Sequence, residues 1–189
     1  EAILAAVAAG KGIFCEKPLT GYFGPPGADA TFRGDLVPKA DMLAEVLKRL
    51  QRLAAAVKRR STVFCYGENF VYTPSLQKER EIVEKTGAQI LRLVGEESHN
   101  GSASPVYGIW RFAGGGSLLG KGVHPLGGVL YLKRIEGAAR SGVAIRPRTV
   151  SARTHALTRL PGYQDRGLIR TDYHDIEDYG VMHVVFDDG

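Results

Sequence analysis

Apolar and polar positions follow two rhythms along this chain. Steps of three and four mark helices, and short unbroken apolar runs mark strands. Glu1–Ala9 is alanine-rich and reads as a helix. Gly10 closes it, because glycine tolerates the left-handed backbone found just past a helix end. Gly12–Cys15 is a short apolar strand that stops at Glu16-Lys17-Pro18. Helix, strand, charged turn is the order of one unit of a parallel α/β sheet. Gly21–Pro38 is rich in Gly and Pro and reads as a loop. Across Asp41–Arg60, Leu43, Leu47, Leu50, Ala54 and Val57 share one face and predict a second helix. Thr62–Tyr66 predicts a second strand, since Val63, Phe64 and Tyr66 favour extended backbone.

The second half opens with a helix start. Thr73 suits the N-cap and Pro74 the first helical position, and the helix should stop near Thr86, before Gly87. Ile90–Val94 predicts a strand. Gly114–Gly116 is a glycine loop, followed by a helix from about His124 to Lys133. Thr149–Leu157 and Tyr179–Phe186 read as strands of an antiparallel sheet. Asp-Gly after that last apolar run is a hairpin turn signal. There is no internal repeat and no low-complexity tract.

Bulk properties narrow the class. Of 189 residues, 44% are hydrophobic and 24% charged, which is ordinary for a globular domain and sets disorder aside. No apolar run approaches the roughly 20 residues of a membrane span, so no membrane partner is expected. The net charge is +5, with basic groups at Lys58–Arg60 and between Arg146 and Arg170. These read as a solvated helix end and a basic loop, not as a nucleic-acid surface. Cys15 and Cys65 sit in apolar runs and are expected as reduced core thiols of a cytoplasmic protein. They show no metal spacing, and no metal is expected.

Chemistry concentrates in two places. Glu16 and Lys17 lie at the carboxyl end of a strand, where open parallel sheets bind ligands. Pro18 disfavours the helical region for Lys17 and so holds it extended. A lysine fixed there can bond a substrate hydroxyl and favour an alkoxide; a solvent-facing turn lysine fits the same spacing. The second place is Ile109–Pro125. Gly114–Gly116, Gly120 and Gly122 permit very close backbone approach. His124 then opens an apolar helix, where it can serve as acid/base or as a capping residue. Gly127 and Gly128 each cost on the order of 1 kcal/mol in a helix, which makes sense if something packs closely on them.

The run Ala8-Ala9-Gly10-Lys11-Gly12-Ile13-Phe14-Cys15-Glu16-Lys17-Pro18-Leu19 resembles the A-G-K-…-C-E-K-P signature of Gfo/Idh/MocA oxidoreductases. Trp110, Arg111, Gly114–Gly116, Gly122 and His124 resemble the same family's W-R…G-G-G…D-x-G-x-H motif. One position departs: the motif's aspartate is Gly120, with Lys121 beside it. Glu68, Glu96, Glu97 and His99 are the candidate replacements. Asn69 and Pro74 keep part of a further family pattern. Ser98–Gly101, polar and after an expected strand, is a candidate pocket lining.

The resemblance implies an α/β fold. The end of a doubly wound Rossmann-type domain, residues 1–72 with loop 21–38, would precede an α+β domain, residues 73–189, on a large, mostly antiparallel sheet. It implies hydride transfer between NAD or NADP and a sugar, sugar derivative or cyclic polyol. Lys17 and His124 would be catalytic. Glu16, Lys17, Pro18, Asn69, Trp110 and Arg111 would border the cofactor. The second domain's sheet would form a homo-oligomer. The chain opens inside a helix at Glu1, ends on an Asp-Gly hairpin signal with no return strand and has no G-x-G-x-x-G, the family's pyrophosphate turn, so a fragment cut at both ends is expected. A glycoside-cleaving relative with a tightly held cofactor, or a non-catalytic sugar-binding module, are the other readings.

Overall fold

The computed structural model describes residues 1–189. Helix α1 (Ala2–Ala8) ends where expected, with Gly10 at φ +66°. Strand β1 (Ile13–Glu16) leads through the loop into helix α2 (Lys39–Arg60), which returns the chain to strand β2 (Phe64–Gly67). The strands pair in parallel, Ile13 opposite Phe64 and Glu16 opposite Gly67. A helical crossover is what parallel neighbours require. Lys58, Arg59 and Arg60 fill the last turn of α2, where cations complement the helix dipole. The basic cluster therefore has a local structural use.

A single turn at Asn69–Tyr72 joins β2 to helix α3 (Pro74–Thr86). Pro74 takes the first helical position, and Gly87 ends the helix at φ +63°. The Thr73 hydroxyl donates back to the Phe70 carbonyl at 2.9 Å instead of capping α3. A short helix α4 (Trp110–Ala113) and a π-helical turn at Leu118–Gly122 lead into helix α5 (Val123–Ser141). Strands β3 (Pro147–His155) and β4 (Tyr179–Phe186) pair antiparallel, Val150 opposite Val184.

Four expectations are corrected. Helix α5 continues past Lys133 to Ser141. Lys133 and Glu136 look like a polar end in sequence, but they are buried and paired. Lys133 Nζ donates to Glu136 Oε2 at 2.7 Å and to Asp188 Oδ2 at 2.8 Å, and Arg140 donates to Glu136 Oε1 at 2.8 Å. Buried charges persist where partners surround them in this way. Ile90–Val94 forms no strand, because no other strand runs alongside it. Gly95 lies against Pro125 of α5, and Leu91 and Val94 stay exposed. The second half holds a two-stranded sheet, not a large one. Cys65, finally, is exposed and not a core thiol.

The core gathers Met42 of α2, Trp110 of α4 and Ile176, flanked by Tyr22, Phe32, Val37, Ala113 and Tyr173. Asp175, fully buried, pins it. One carboxylate oxygen accepts the Gly34 N–H at 2.8 Å and the other the Trp110 N–H at 2.7 Å. The Trp110 ring lies so close over Gly34 that no side chain fits there. No helix is long and apolar enough to cross a membrane.

Candidate functional site

Because β1 and β2 are parallel and end in register, the residues that follow them emerge side by side. Lys17 follows β1 and Glu68 follows β2. Lys17 Nζ donates to the Gly120 carbonyl at 2.8 Å, which ties the first strand to the glycine-rich turn before α5. Burial above all, and the charge of Lys121 next, hold the Lys17 ammonium below the ordinary lysine range; Glu68, Glu16 and Glu97 pull the other way. Glu16 is exposed, and its carboxylate accepts the Lys17 N–H at 3.1 Å.

Glu68 turns inward and is 6% exposed. Its Oε1 accepts the Phe70 N–H at 3.0 Å and lies 2.8 Å from His124 Nδ1. Phe70 stacks on the His124 ring, centroids 4.3 Å apart. The imidazole is thus held by a carboxylate at one nitrogen and an aromatic face across its plane. A proton on Nδ1 facing Glu68 leaves Nε2 as an acceptor. The second oxygen, Glu68 Oε2, is buried with no partner. Such an atom is costly to leave bare and marks a place for a donor.

The glycines explain how these groups meet. A Cβ on Gly127 would lie 2.6 Å from Glu68 Cγ, so only glycine lets the glutamate reach the histidine. Gly128 admits Leu76 of α3 just behind. A Cβ on Gly120 would collide with the Tyr107 hydroxyl, so a tyrosine fills the space that a side chain at 120 would take. Of the four candidate replacements named from sequence, Glu68 is the one bonded to His124.

The other expected residues scatter. Pro18 is half-buried beside Lys17, and Asn69 is exposed on its turn. Arg111 is half-buried with its guanidinium 4.4 Å from the Phe112 ring centre. Trp110, expected to border a cofactor, packs in the core instead: it is 4% exposed and its indole N–H is taken by the Tyr22 carbonyl at 2.9 Å. Ser98, His99 and Gly101 do line a cavity, of about 890 Å³, between α5, β4 and the 90–101 segment. Lys121 and Gly122 form part of its wall, next to the Lys17–Glu68–His124 cluster. Tyr107, Ser117 and Glu177 also line it. Sequence reasoning missed all three; the only signal was the glycine at 120, which leaves room for something else.

No protein-family model matches the chain, and no curated protein matches it in sequence. Solved structures do match. They include an NAD-binding protein from Listeria innocua (TM-score 0.59, 20% identity, 99% of this chain). They also include GenD2 from gentamicin A biosynthesis in complex with NAD (TM-score 0.57, 23% identity, 99% of this chain). A third is an aldose-aldose oxidoreductase from Caulobacter crescentus complexed with glycerol (TM-score 0.57, 18% identity, 100% of this chain). The chain shares the fold of the matching part of these structures. The chain spans 42%, 41% and 44% of the three proteins, less than half of each.

Proposed function

We propose that this chain carries the reacting end of an NAD(P)-dependent oxidoreductase that acts on a hydroxyl carbon of a sugar, sugar derivative or cyclic polyol. The observation that carries the reading is the convergence of Lys17, Glu68 and His124 at the carboxyl ends of a parallel strand pair. The solved structures of the same fold support it: one holds NAD and another, an aldose-aldose oxidoreductase, holds glycerol.

The residues suit the reacting end of a dinucleotide. Lys17 offers a donor there, with the exposed Glu16 and Asn69 at the rim. When bound, NAD(P) supplies the hydride acceptor. Glu68 fixes the imidazole so that His124 Nε2 takes the proton of the substrate hydroxyl. Lys17 bonds the same oxygen and favours the negative charge that builds on it. Its lowered pKa also brings it nearer to a proton-transfer role. The exposed face of Glu16 is left free for the cofactor side.

The test is Lys17→Met in the full-length protein, followed by NAD(P) reduction over a panel of sugars and cyclic polyols. Turnover should fall by roughly 100- to 1,000-fold, the scale of one lost oxyanion donor. Unchanged turnover would show that Lys17 is not at the reacting oxygen.

A further inference from the structure

A base that takes a proton must hold the charge that comes with it. Much around His124 disfavours a cation. The residue is 8% exposed. Lys17 donates to the Gly120 carbonyl and Lys121 lies on the same turn, so two ammonium groups already stand at the start of α5. Gly120 itself adds no carboxylate. Two groups face the imidazole and favour its charge. Glu68 meets Nδ1 at 2.8 Å, and the Phe70 ring lies across the imidazole face, 20° from parallel with centroids 4.3 Å apart. The backbone that carries the Phe70 ring is tied on both sides. Its N–H donates at 3.0 Å to Glu68 Oε1, the oxygen that faces the histidine. Its carbonyl accepts the Thr73 N–H at 3.0 Å and the Thr73 hydroxyl at 2.9 Å. Gln77 of α3 donates to the next carbonyl, at Val71, and to the Tyr131 hydroxyl of α5 at 3.3 Å. The turn at 69–72 is thus fastened to the carboxylate, to α3 and to the helix that holds the histidine.

We propose that Phe70 is a positioning residue whose π face stabilises the imidazolium that His124 becomes during the reaction. In that step the substrate O–H bond breaks, its electrons stay on the oxygen beside Lys17, and the proton goes to His124 Nε2. The face of a phenyl ring carries partial negative charge and attracts a cation within about 6 Å of its centre. A neutral imidazole gains far less from that face. The contact therefore strengthens as the proton arrives and acts on turnover, not on substrate binding. The proposal rests on the oxidoreductase reading in one respect, that His124 is the base. Burial under the ring works the other way, since desolvation disfavours a charged imidazole. Fluorination separates the two effects, because it weakens the negative face and scarcely changes the shape of the ring.

The experiment places mono-, di- and trifluorinated phenylalanine at position 70 of the full-length protein, beside Phe70→Leu and His124→Ala. Turnover should fall stepwise with each fluorine, by roughly 2- to 30-fold across the series, the scale of one cation–π contact. KM and melting temperature should stay level, and Phe70→Leu should be at least as slow as the trifluorinated protein. A second readout needs neither cofactor nor substrate: by NMR, the pH at which His124 takes up its second proton should step downward along the same series. A series that is flat or rises in both readouts overturns the proposal. If His124→Ala abolishes turnover while both series are flat, the oxidoreductase reading stands and the role of Phe70 fails. If the NMR series steps down while turnover is indifferent to the fluorines and to His124→Ala, the stack holds the charge as argued and the reading of His124 as the base fails.

Discussion

Glu68 and His124 stand 56 positions apart and meet at 2.8 Å, Oε1 to Nδ1, with both side chains buried. The contact gives the imidazole a fixed proton. A carboxylate that fixes the tautomer of a catalytic histidine is worth up to about 10,000-fold in kcat. Glu68→Gln should therefore lower kcat by up to that much while KM moves little. The amide can donate to Nδ1 and so invert the tautomer. Adding His124→Ala to Glu68→Gln should cost no more than His124→Ala alone. Full additivity of the two losses in steady-state kinetics would show that they do not act as a unit.

Lys121 gives a pH prediction. Its charge helps hold Lys17 below the ordinary range. Lys17 loses its proton as pH rises through that lowered pKa, so activity that needs the ammonium falls on the alkaline side. Lys121→Met removes a like charge and raises the Lys17 pKa. The alkaline limb of kcat/KM should then move to higher pH, with the acid limb unchanged. A limb that stays put, or moves down, would mean that another group sets it.

Asp175 is a structural prediction. Each of its oxygens satisfies one buried backbone N–H, at Gly34 and at Trp110. Asp175→Ala strands both donors, at about 1–3 kcal/mol each. The loss, of the order of 4 kcal/mol, is a large share of the stability of a domain this size. Denaturant melts should show a collapse of the midpoint, with Asp175→Asn intermediate because it keeps one acceptor.

Glu177 titrates against the fold. Burial raises its pKa above the unfolded value. Folding favours its neutral form relative to the unfolded chain. That relative stability is present below the unfolded pKa and is lost as pH rises through the folded one. Glu177→Gln removes the penalty at high pH only. Melting temperatures should rise for the variant at pH 8 and match the parent at pH 4. Equal melting at both would place the carboxylate in water.

Local signals were legible in the sequence where local physics decides. Gly10 and Gly87 stop their helices, Pro74 starts one, and Val63, Phe64 and Tyr66 mark a strand, because each acts through its own backbone. Ile90–Val94 has the same strand chemistry but no strand to pair with, and pairing is not a property of the segment. Trp110 sits in a recognisable motif, yet which way its ring faces depends on Gly34 and Tyr22, far off in the chain. Glu68 was one of four candidates in sequence, three acids and a histidine. What selects it is the parallel register of β1 and β2 and a glycine at 127, neither readable from Glu68 itself. The close packing inferred at Gly127 and Gly128 was legible because a helical glycine has a definite cost. The polar run Lys133–Glu136 misled, because burial of an ion pair leaves no mark on the residues that form it.

The fit of Tyr107 into the space beside Gly120 makes the two positions a single unit of inheritance. A carboxylate at 120 requires the Tyr107 ring to move, because its hydroxyl stands where the new Cβ would go. The tyrosine must shrink or swing aside first, and until the acid arrives that step leaves a void. The route between a glycine-tyrosine site and an aspartate site therefore runs through a less stable intermediate in one order and a steric clash in the other. Lineages carrying either arrangement should hold it as a pair, changing both positions or neither.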